Sequence, residues 1–251
     1  MGFWIFLIPM EAWTQQTEKT KAILDRAIEA MGGSTFLAVK NYSAVGRFYV
    51  LKNEEEGWAE FTEQTLLPKK SRQQTGKKGD AELTIFDLDA GKGWIVYGGT
   101  EIKPVKPEQL ERFKKSMLRD YNNLFRFRLK EPGFTLHYFG SDILDGRRPV
   151  EIVEMIDAEN DTILISFDDN TGLPFRLEYQ DTLPNGRRVR VWDELYNWHM
   201  VEGVNTPMRQ DRLHNNQAAS QVFLTTIRYN TDLPDSLFTE PVPPPPKKKK
   251  K

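Results

Sequence analysis

The sequence predicts an α+β protein that is rich in strands and dominated by one curved antiparallel sheet. Residues 134–229 carry the strongest signal, because apolar and polar residues alternate there, as in strands with one buried and one exposed face. Phe175, Leu177 and Tyr179, for example, alternate with polar neighbours. Turn-forming Gly, Asn, Asp and Pro residues recur between the runs at the roughly 8–12-residue spacing of a meander. We therefore predict six consecutive strands in this stretch.

The N-terminal half adds helices and two further hairpins. Apolar residues at helical spacing predict a helix over residues 17–31, which Gly32-Gly33 ends, and a short second helix follows over residues 34–39. Strand pairs are predicted at residues 42–51 and 58–67, around a polar turn at residues 52–57, and at residues 83–88 and 93–97.

A second helical region begins at Pro107, since proline is favoured in the first turn of a helix. Its apolar stripe consists of Leu110, Phe113, Met117, Leu118 and Tyr121. We expect the helix to continue through Phe125 until Pro132-Gly133 stops it. An amphipathic helix of this kind usually covers the apolar face of a sheet. The stripe either fills that face or forms a lid over a cavity, and the sequence leaves both interpretations open.

Composition narrows the classes of function. With 251 residues, 39% of them hydrophobic and 12% aromatic, the chain can bury the core of a single domain. The formal net charge is −1, and because the last five residues are lysines, the rest of the chain carries −6. A mildly acidic folded part argues against a nucleic-acid partner. The chain has no cysteine, which excludes disulfides, a thiolate nucleophile and a cysteine-based zinc site.

No catalytic motif is present in the sequence. His137, His199 and His214 lie on separate predicted strands without the spacing of a zinc-binding pair. The serine elbow, the phosphate-binding loop and the dinucleotide-binding glycine pattern are also missing. Neighbouring acidic residues in a strand point to opposite faces, so they do not converge as an acid and a base. We predict a monomer that is not an enzyme and has no metal ion or cofactor.

The N-terminal residues 1–12 resemble an incomplete secretory signal. Residues 3–8 are a short apolar run, too short to span a bilayer, and Ala12 lies near a possible cleavage point. No lysine or arginine precedes the run, so an edge strand or a frayed apolar terminus is the other interpretation. We predict a single domain over residues 13–240 in an exported, periplasmic protein.

The C-terminal residues form a tail. After a predicted turn that places Phe238 against the domain, residues 241–251 are prolines and lysines with almost nothing to bury, which predicts an extended spacer with a cationic tip. Each lysine near an anionic membrane contributes about 1 kcal/mol of attraction. The candidate residues for such a surface contact are Lys247, Lys248, Lys249, Lys250 and Lys251. A solvated end without a partner is the alternative.

Several short motifs follow one another between residues 20 and 240. They are residues 24–33 (Leu-Asp-Arg-Ala-Ile-Glu-Ala-Met-Gly-Gly), 39–42 (Val-Lys-Asn-Tyr), 91–94 (Gly-Lys-Gly-Trp), 145–150 (Asp-Gly-Arg-Arg-Pro-Val), 167–174 (Phe-Asp-Asp-Asn-Thr-Gly-Leu-Pro), 201–207 (Val-Glu-Gly-Val-Asn-Thr-Pro) and 229–230 (Tyr-Asn), with Phe238. As a set they resemble the bacterial outer-membrane lipoprotein-sorting proteins, the LolA-like group. Most of them are turn and packing signals, so they predict the fold better than they predict the bound cargo.

The resemblance implies an incomplete, strongly curved barrel with helices over its concave apolar face and a cavity for the acyl chains of lipids or lipoproteins. The apolar stripe and the sheet supply the candidate residues for this cavity and its lid: Leu110, Phe113, Met117, Leu118, Tyr121, Phe125, Phe167, Phe175, Leu177 and Tyr179. A non-enzymatic periplasmic carrier is the leading hypothesis. A secreted structural or interaction module with a collapsed cavity is the second, and an enzyme without a recognisable motif is the third.

Overall fold

One antiparallel sheet organises the molecule. A computed structural model describes residues 10–51, 57–76 and 81–242, and within these ranges thirteen strands pair in the order β6-β5-β4-β3-β2-β1-β13-β12-β11-β10-β9-β8-β7. The strands are β1 (Asn41–Val50), β2 (Gly57–Leu66), β3 (Lys70–Thr75), β4 (Glu82–Asp87), β5 (Lys92–Tyr97), β6 (Glu101–Pro104), β7 (Thr135–Leu144), β8 (Arg148–Ile156), β9 (Thr162–Asp168), β10 (Pro174–Thr182), β11 (Arg188–Val201), β12 (Val204–His214) and β13 (Gln217–Tyr229). Two meanders are joined where β1 pairs with β13. Within the described residues β6 and β7 each pair on one side only, so the sheet is a curved, incomplete barrel.

The C-terminal meander has seven strands in its fully described stretch, not the six that we predicted. The additional turn is Asn215-Asn216, which separates β12 from β13. Both residues adopt positive φ angles, 51° and 65°. Asparagine tolerates this conformation because its short polar side chain bonds locally to the backbone. A turn of two asparagines without glycine was therefore the signal that the prediction missed.

The N-terminal meander contains two strands that the sequence did not predict, β3 and β6. β3 reads Lys-Ser-Arg-Gln-Gln-Thr and contains no apolar residue, so it shows no apolar alternation. It nevertheless pairs with β2 on one side and β4 on the other. The predicted turn at residues 52–57 falls largely outside the described residues, as do residues 1–9 of the predicted signal and residues 243–251 of the predicted tail.

Four helices accompany the sheet in the described part of the chain, with two 3₁₀ turns. They are α1 (Met10–Met31), α2 (Gly33–Leu37), α3 (Pro107–Arg119) and α4 (Tyr121–Arg126), and the 3₁₀ turns are Arg128–Lys130 and Asp235–Phe238. None of the helices in this part of the chain is both long and apolar enough to cross a membrane. The predicted turn near the C-terminus is confirmed, since Phe238 is completely buried.

The helix that begins at Pro107 is shorter than we predicted. It ends at Arg119, and the next residue, Asp120, has an extended backbone with ψ at 133°. The Asp120 carboxylate accepts a hydrogen bond of 2.9 Å from the backbone N–H of Asn122 and so caps a separate helix, α4. Aspartate is a favoured N-cap residue, and this competing local bond explains why the helix does not continue.

The core lies on the concave face of the C-terminal meander. α1, α2 and α4 bury apolar residues there against strands β8 to β12, including Met31, Phe36, Leu124, Ile165 and Leu195.

The end of α1 approaches the β11–β12 hairpin so closely that a Cβ atom at Gly32 would lie 2.4 Å from the Gly203 carbonyl oxygen. Gly32 also has a φ of 120°, a backbone conformation that L side chains rarely adopt. Only glycine therefore fits this contact without displacing the hairpin.

The contribution of this core to stability is testable at Phe125. Its side chain is 1% exposed and makes an edge-to-face contact with Phe167. Phe125→Ala should lower the free energy of unfolding by about 3–5 kcal/mol, because it leaves a cavity in a close-packed site. Chemical denaturation measures the loss. The matched control is Phe139→Ala on edge strand β7, where the side chain is 59% exposed, and its effect should stay within about 0.5 kcal/mol. Equal losses for the two variants would contradict this packing.

Candidate functional site

A partly open cavity of about 340 Å³ lies between α3 and the inner face of the sheet. Its volume is within the roughly 300–1,000 Å³ range of small-molecule sites. Strands from both meanders form its floor, so the cavity exists only because β1 and β13 pair. Its apolar lining includes Ala44, Phe61, Leu177, Val222, Leu224 and Ile227.

α3 covers this cavity with an incompletely buried apolar face. Its N-terminus is ordered by Pro107 and by a hydrogen bond of 2.8 Å from the Lys106 backbone N–H to the Gln109 side chain. Phe113 stacks on Phe86 of β4, with ring centroids 4.0 Å apart and an interplanar angle of 7°. Phe113 and Met117 both line the cavity and both remain partly exposed. The helix therefore spans the cavity without filling it.

Buried arginines hold the C-terminal end of α3. Arg119 donates two hydrogen bonds to Asp161, of 2.9 and 3.0 Å, and its guanidinium lies over the ring of Tyr179. Arg128 donates to the Leu118 carbonyl oxygen at 2.8 Å and satisfies one of the free carbonyls of the last helical turn. These bonds attach the C-terminal end of α3 to the sheet and to the next turn. The middle of the helix contacts the sheet mainly through the stacking of Phe113 on Phe86.

The predicted cavity and lid residues occupy different environments. The ones that line the cavity are Phe113, Met117, Tyr121 and Leu177. Leu110 and Leu118 lie on α3, partly exposed and outside the lining. Phe125, Phe167 and Tyr179 belong to the buried core cluster.

Phe175 lies on the opposite face of the sheet from Leu177. A β-bulge between Pro174 and Arg176 interrupts the strand alternation. The prediction that Phe175 shares the inner face with Leu177 is therefore wrong. The ring of Phe175 is instead buried against Tyr196, with centroids 5.4 Å apart, and beneath the guanidinium of Arg148. Pro174, at the first position of β10, was the available sign, since proline in a sheet is confined to strand starts, edges and bulges.

The cavity also has a polar wall that sequence reasoning missed. Glu63, Ser71, Gln73 and Asp120 line it together with the apolar residues. Glu63 lies two residues after Phe61 on β2, so strand alternation places both on the inner face. An acidic residue at an inward-facing position was therefore the available signal. β3 contributes the other polar side chains, and its lack of apolar residues hid them.

The Glu63 carboxylate lies deep in the cavity wall. Its Oε1 accepts hydrogen bonds from the Tyr42 hydroxyl at 3.1 Å and from the Thr65 hydroxyl at 2.9 Å. Burial raises the pKa of Glu63 above its ordinary value, the two hydroxyl donors partly oppose this, and the nearby charge of Asp120 adds to it. Burial likewise raises the pKa of Asp120, against the opposing effects of its bonds to Asn122 and of the Arg126 charge.

A separate ion pair closes the floor of the cavity. Arg212 of β12 donates to both oxygens of Asp193 on β11, at 2.6 and 2.8 Å. The Tyr179 hydroxyl donates to the same carboxylate at 2.8 Å. The attraction of Asp193 raises the pKa of Arg212, so the guanidinium keeps its positive charge.

No group of three or more histidine and acidic side chains could hold a metal ion in residues 10–51, 57–76 and 81–242. The candidate surface residues Lys247, Lys248, Lys249, Lys250 and Lys251 lie outside these ranges. Their contact with an anionic membrane remains a prediction.

Comparison with known proteins identifies the architecture. No protein-family model matches the sequence, and no curated protein matches it. Solved structures do match the fold. A DUF1329 family protein from Desulfovibrio piger has a TM-score of 0.59 at 11% identity, over 88% of this chain and 97% of its own. A LolA superfamily protein from Nitrosomonas europaea has a TM-score of 0.55 at 12% identity, over 88% and 97% of the two chains.

A third match is a putative outer membrane lipoprotein-sorting protein domain from Vibrio parahaemolyticus, with a TM-score of 0.53 at 12% identity over 88% of this chain and 96% of that one. Identities this low show the fold alone. The fold is LolA-like, as the sequence motifs predicted.

The raised pKa of Glu63 makes a prediction about stability. Glu63 keeps its proton to a higher pH in the folded protein than in the unfolded chain. The binding of this proton therefore stabilises the fold fully below the ordinary pKa of 4.5, and that stabilisation is lost as the pH rises through the pKa of folded Glu63. Glu63→Gln keeps an oxygen for the Tyr42 and Thr65 hydroxyls and removes the buried charge. The difference in free energy of unfolding between the variant and the wild type should shift in favour of the variant as the pH rises from 4 to 7.5. Urea unfolding at the two pH values measures this shift.

Glu60→Gln is the matched control, because Glu60 is on the opposite face of the same strand and its carboxylate is 61% exposed beside Arg47. This change should alter stability by less than about 1 kcal/mol at either pH. A stability difference between Glu63→Gln and wild type that is the same at pH 4 and pH 7.5 would contradict the raised pKa.

Proposed function

We propose that this protein is a non-enzymatic binder or carrier of the acyl chains of lipids or lipoproteins. The observation that carries the proposal is the partly exposed apolar face of α3 above a cavity of about 340 Å³. An acyl chain in this cavity would contact Phe113 and Met117 above it and Leu177, Val222 and Leu224 below it. Each square ångström of apolar surface removed from water in this way contributes about 25 cal/mol.

The contrast between α3 and α4 favours a binding site over a collapsed core. Every residue of α4 is buried, and its Leu124 and Phe125 pack in the core cluster. On α3, by comparison, Arg119 is the one residue that is fully buried. A module whose cavity had collapsed would bury Phe113 and Met117 to the same extent as Leu124 and Phe125.

The likeness to LolA-like structures supports the same function, since one of them is described as a putative lipoprotein-sorting domain. The apolar run of residues 3–8 supports export, and we place the protein in the bacterial envelope outside the cytoplasm. A monomer fits this role, because a single chain provides both the lid and the floor of the cavity.

Binding is testable with delipidated, folded protein and a fluorescent long-chain alcohol. We expect saturable binding and a rise in melting temperature, equivalent to about 2.7 kcal/mol when the free ligand reaches 100 times its Kd. Phe113→Ala should weaken binding by roughly tenfold, corresponding to about 1.4 kcal/mol of lost apolar contact. It should destabilise the free protein by less than the roughly 3–5 kcal/mol of a buried phenylalanine.

Phe139→Ala serves again as the control, because this exposed ring lies on edge strand β7 and does not line the cavity. Its ligand affinity should equal that of the wild type. The proposal fails if the wild type shows no saturable binding. It also fails if Phe113→Ala binds as tightly as Phe139→Ala.

A further inference from the structure

The polar wall of the cavity contains two carboxyl groups, and this inference rests on the acyl-binding function proposed above. Glu63 projects from β2, and Asp120 lies at the junction of α3 and α4. Both line the same cavity as the apolar residues. Ser71 and Gln73 of β3 line the wall beside them and can donate or accept hydrogen bonds. A bound amphiphile would therefore meet carboxyl groups at one part of its surface and apolar side chains at another.

The cations of the cavity are already paired with other carboxylates. Arg212 is held by Asp193, and Arg119 is held by Asp161 and lies 3.3 Å from Asp181. Among the residues that the structure describes, no lysine or arginine nitrogen lies within 4 Å of the carboxylate oxygens of Glu63 or Asp120. Glu63 thus has no cationic partner among the described residues, whereas Asp120 has only the charge of Arg126, which lies beyond this distance.

Within the described parts of the chain, hydrogen-bond donors reach only one oxygen of Glu63. Tyr42 and Thr65 both donate to Oε1, which leaves Oε2 without a donor. The other titratable groups of the lining are Tyr42, Arg119, Tyr121, Asp193 and Arg212. Arg126 acts on Asp120 from within the core. Bringing an anionic headgroup to this wall would place like charges together in a poorly solvated site, which is strongly unfavourable.

We propose that Glu63, with Asp120, determines headgroup specificity: the cavity accepts long-chain amphiphiles with an ammonium headgroup and discriminates against those with a carboxylate. An ammonium group satisfies the free carboxylate oxygen with a charge-assisted hydrogen bond. The acyl chain then lies along Leu177, Val222 and Leu224 beneath α3. Glu63 is the specificity-determining group because it faces the cavity, whereas Asp120 also caps α4.

Three amphiphiles of one chain length, with ammonium, hydroxyl and carboxylate heads, test the assignment at pH 7.5 below their micellar concentrations. Displacement of a fluorescent long-chain alcohol reports their affinities. The ammonium compound should bind at least roughly tenfold more tightly than the carboxylate, with the alcohol between them. The preference should decrease as the pH falls and Glu63 takes up its proton.

Glu63→Gln should remove most of the difference in affinity between the ammonium and carboxylate compounds. Glu60→Gln, on the opposite face of β2, should keep the wild-type order. Asp120→Asn, which retains an oxygen to cap α4, is the second variant if Glu63→Gln does not fold, and it should reduce the same difference.

The outcomes separate the two proposals. Equal affinities for the three heads, tighter binding of the carboxylate, or an unchanged order in folded Glu63→Gln would overturn the headgroup assignment while acyl binding stands. If Glu63→Gln does not fold, an unchanged order in Asp120→Asn overturns it. Binding of none of the three compounds by the folded wild type would overturn acyl binding and the headgroup assignment together.

Discussion

The pairing of β1 with β13 is the contact on which the concave surface depends. It joins residues 42–50 to residues 220–229 and turns two separate meanders into one sheet. The join includes a register shift at Val45/Gly46, where a Cβ on Gly46 would lie 2.3 Å from the Phe223 carbonyl oxygen. Ala44 and Val222 from the two sides of this join both line the cavity. Loss of the pairing would expose two more strand edges and divide the cavity floor.

The motifs that resemble LolA-like proteins lie at joints of this sheet. Gly32, at the end of α1, meets Gly203 in the β11–β12 hairpin. Asn230, after β13, accepts a hydrogen bond of 2.8 Å from the Lys40 backbone N–H before β1. These contacts fix how helices and hairpins meet, and of the motif residues only Tyr42 and Pro207 line the cavity. They therefore explain why the motifs predict the architecture well and contain little information about the ligand.

The fold was more predictable from the sequence than the site was. Hairpins marked by glycine and alternating strands were visible because local chemistry alone specifies them, whereas β3 is polar and is held in the sheet by its neighbours on both sides. Of the predicted stripe, Phe113 and Met117 line the cavity from α3. The break at Asp120, which places Tyr121 on α4, depends on one side-chain cap. The bulge at Phe175 and the inward position of Glu63 depend on register, which the pairing of distant strands determines.

The central claim is that the cavity beneath α3 holds an acyl chain. Native mass spectrometry of protein purified without detergent from its own host tests this most directly. The account predicts a population with a bound amphiphile whose fragmentation yields an acyl chain. Folded protein that is found only in its ligand-free form would contradict the claim.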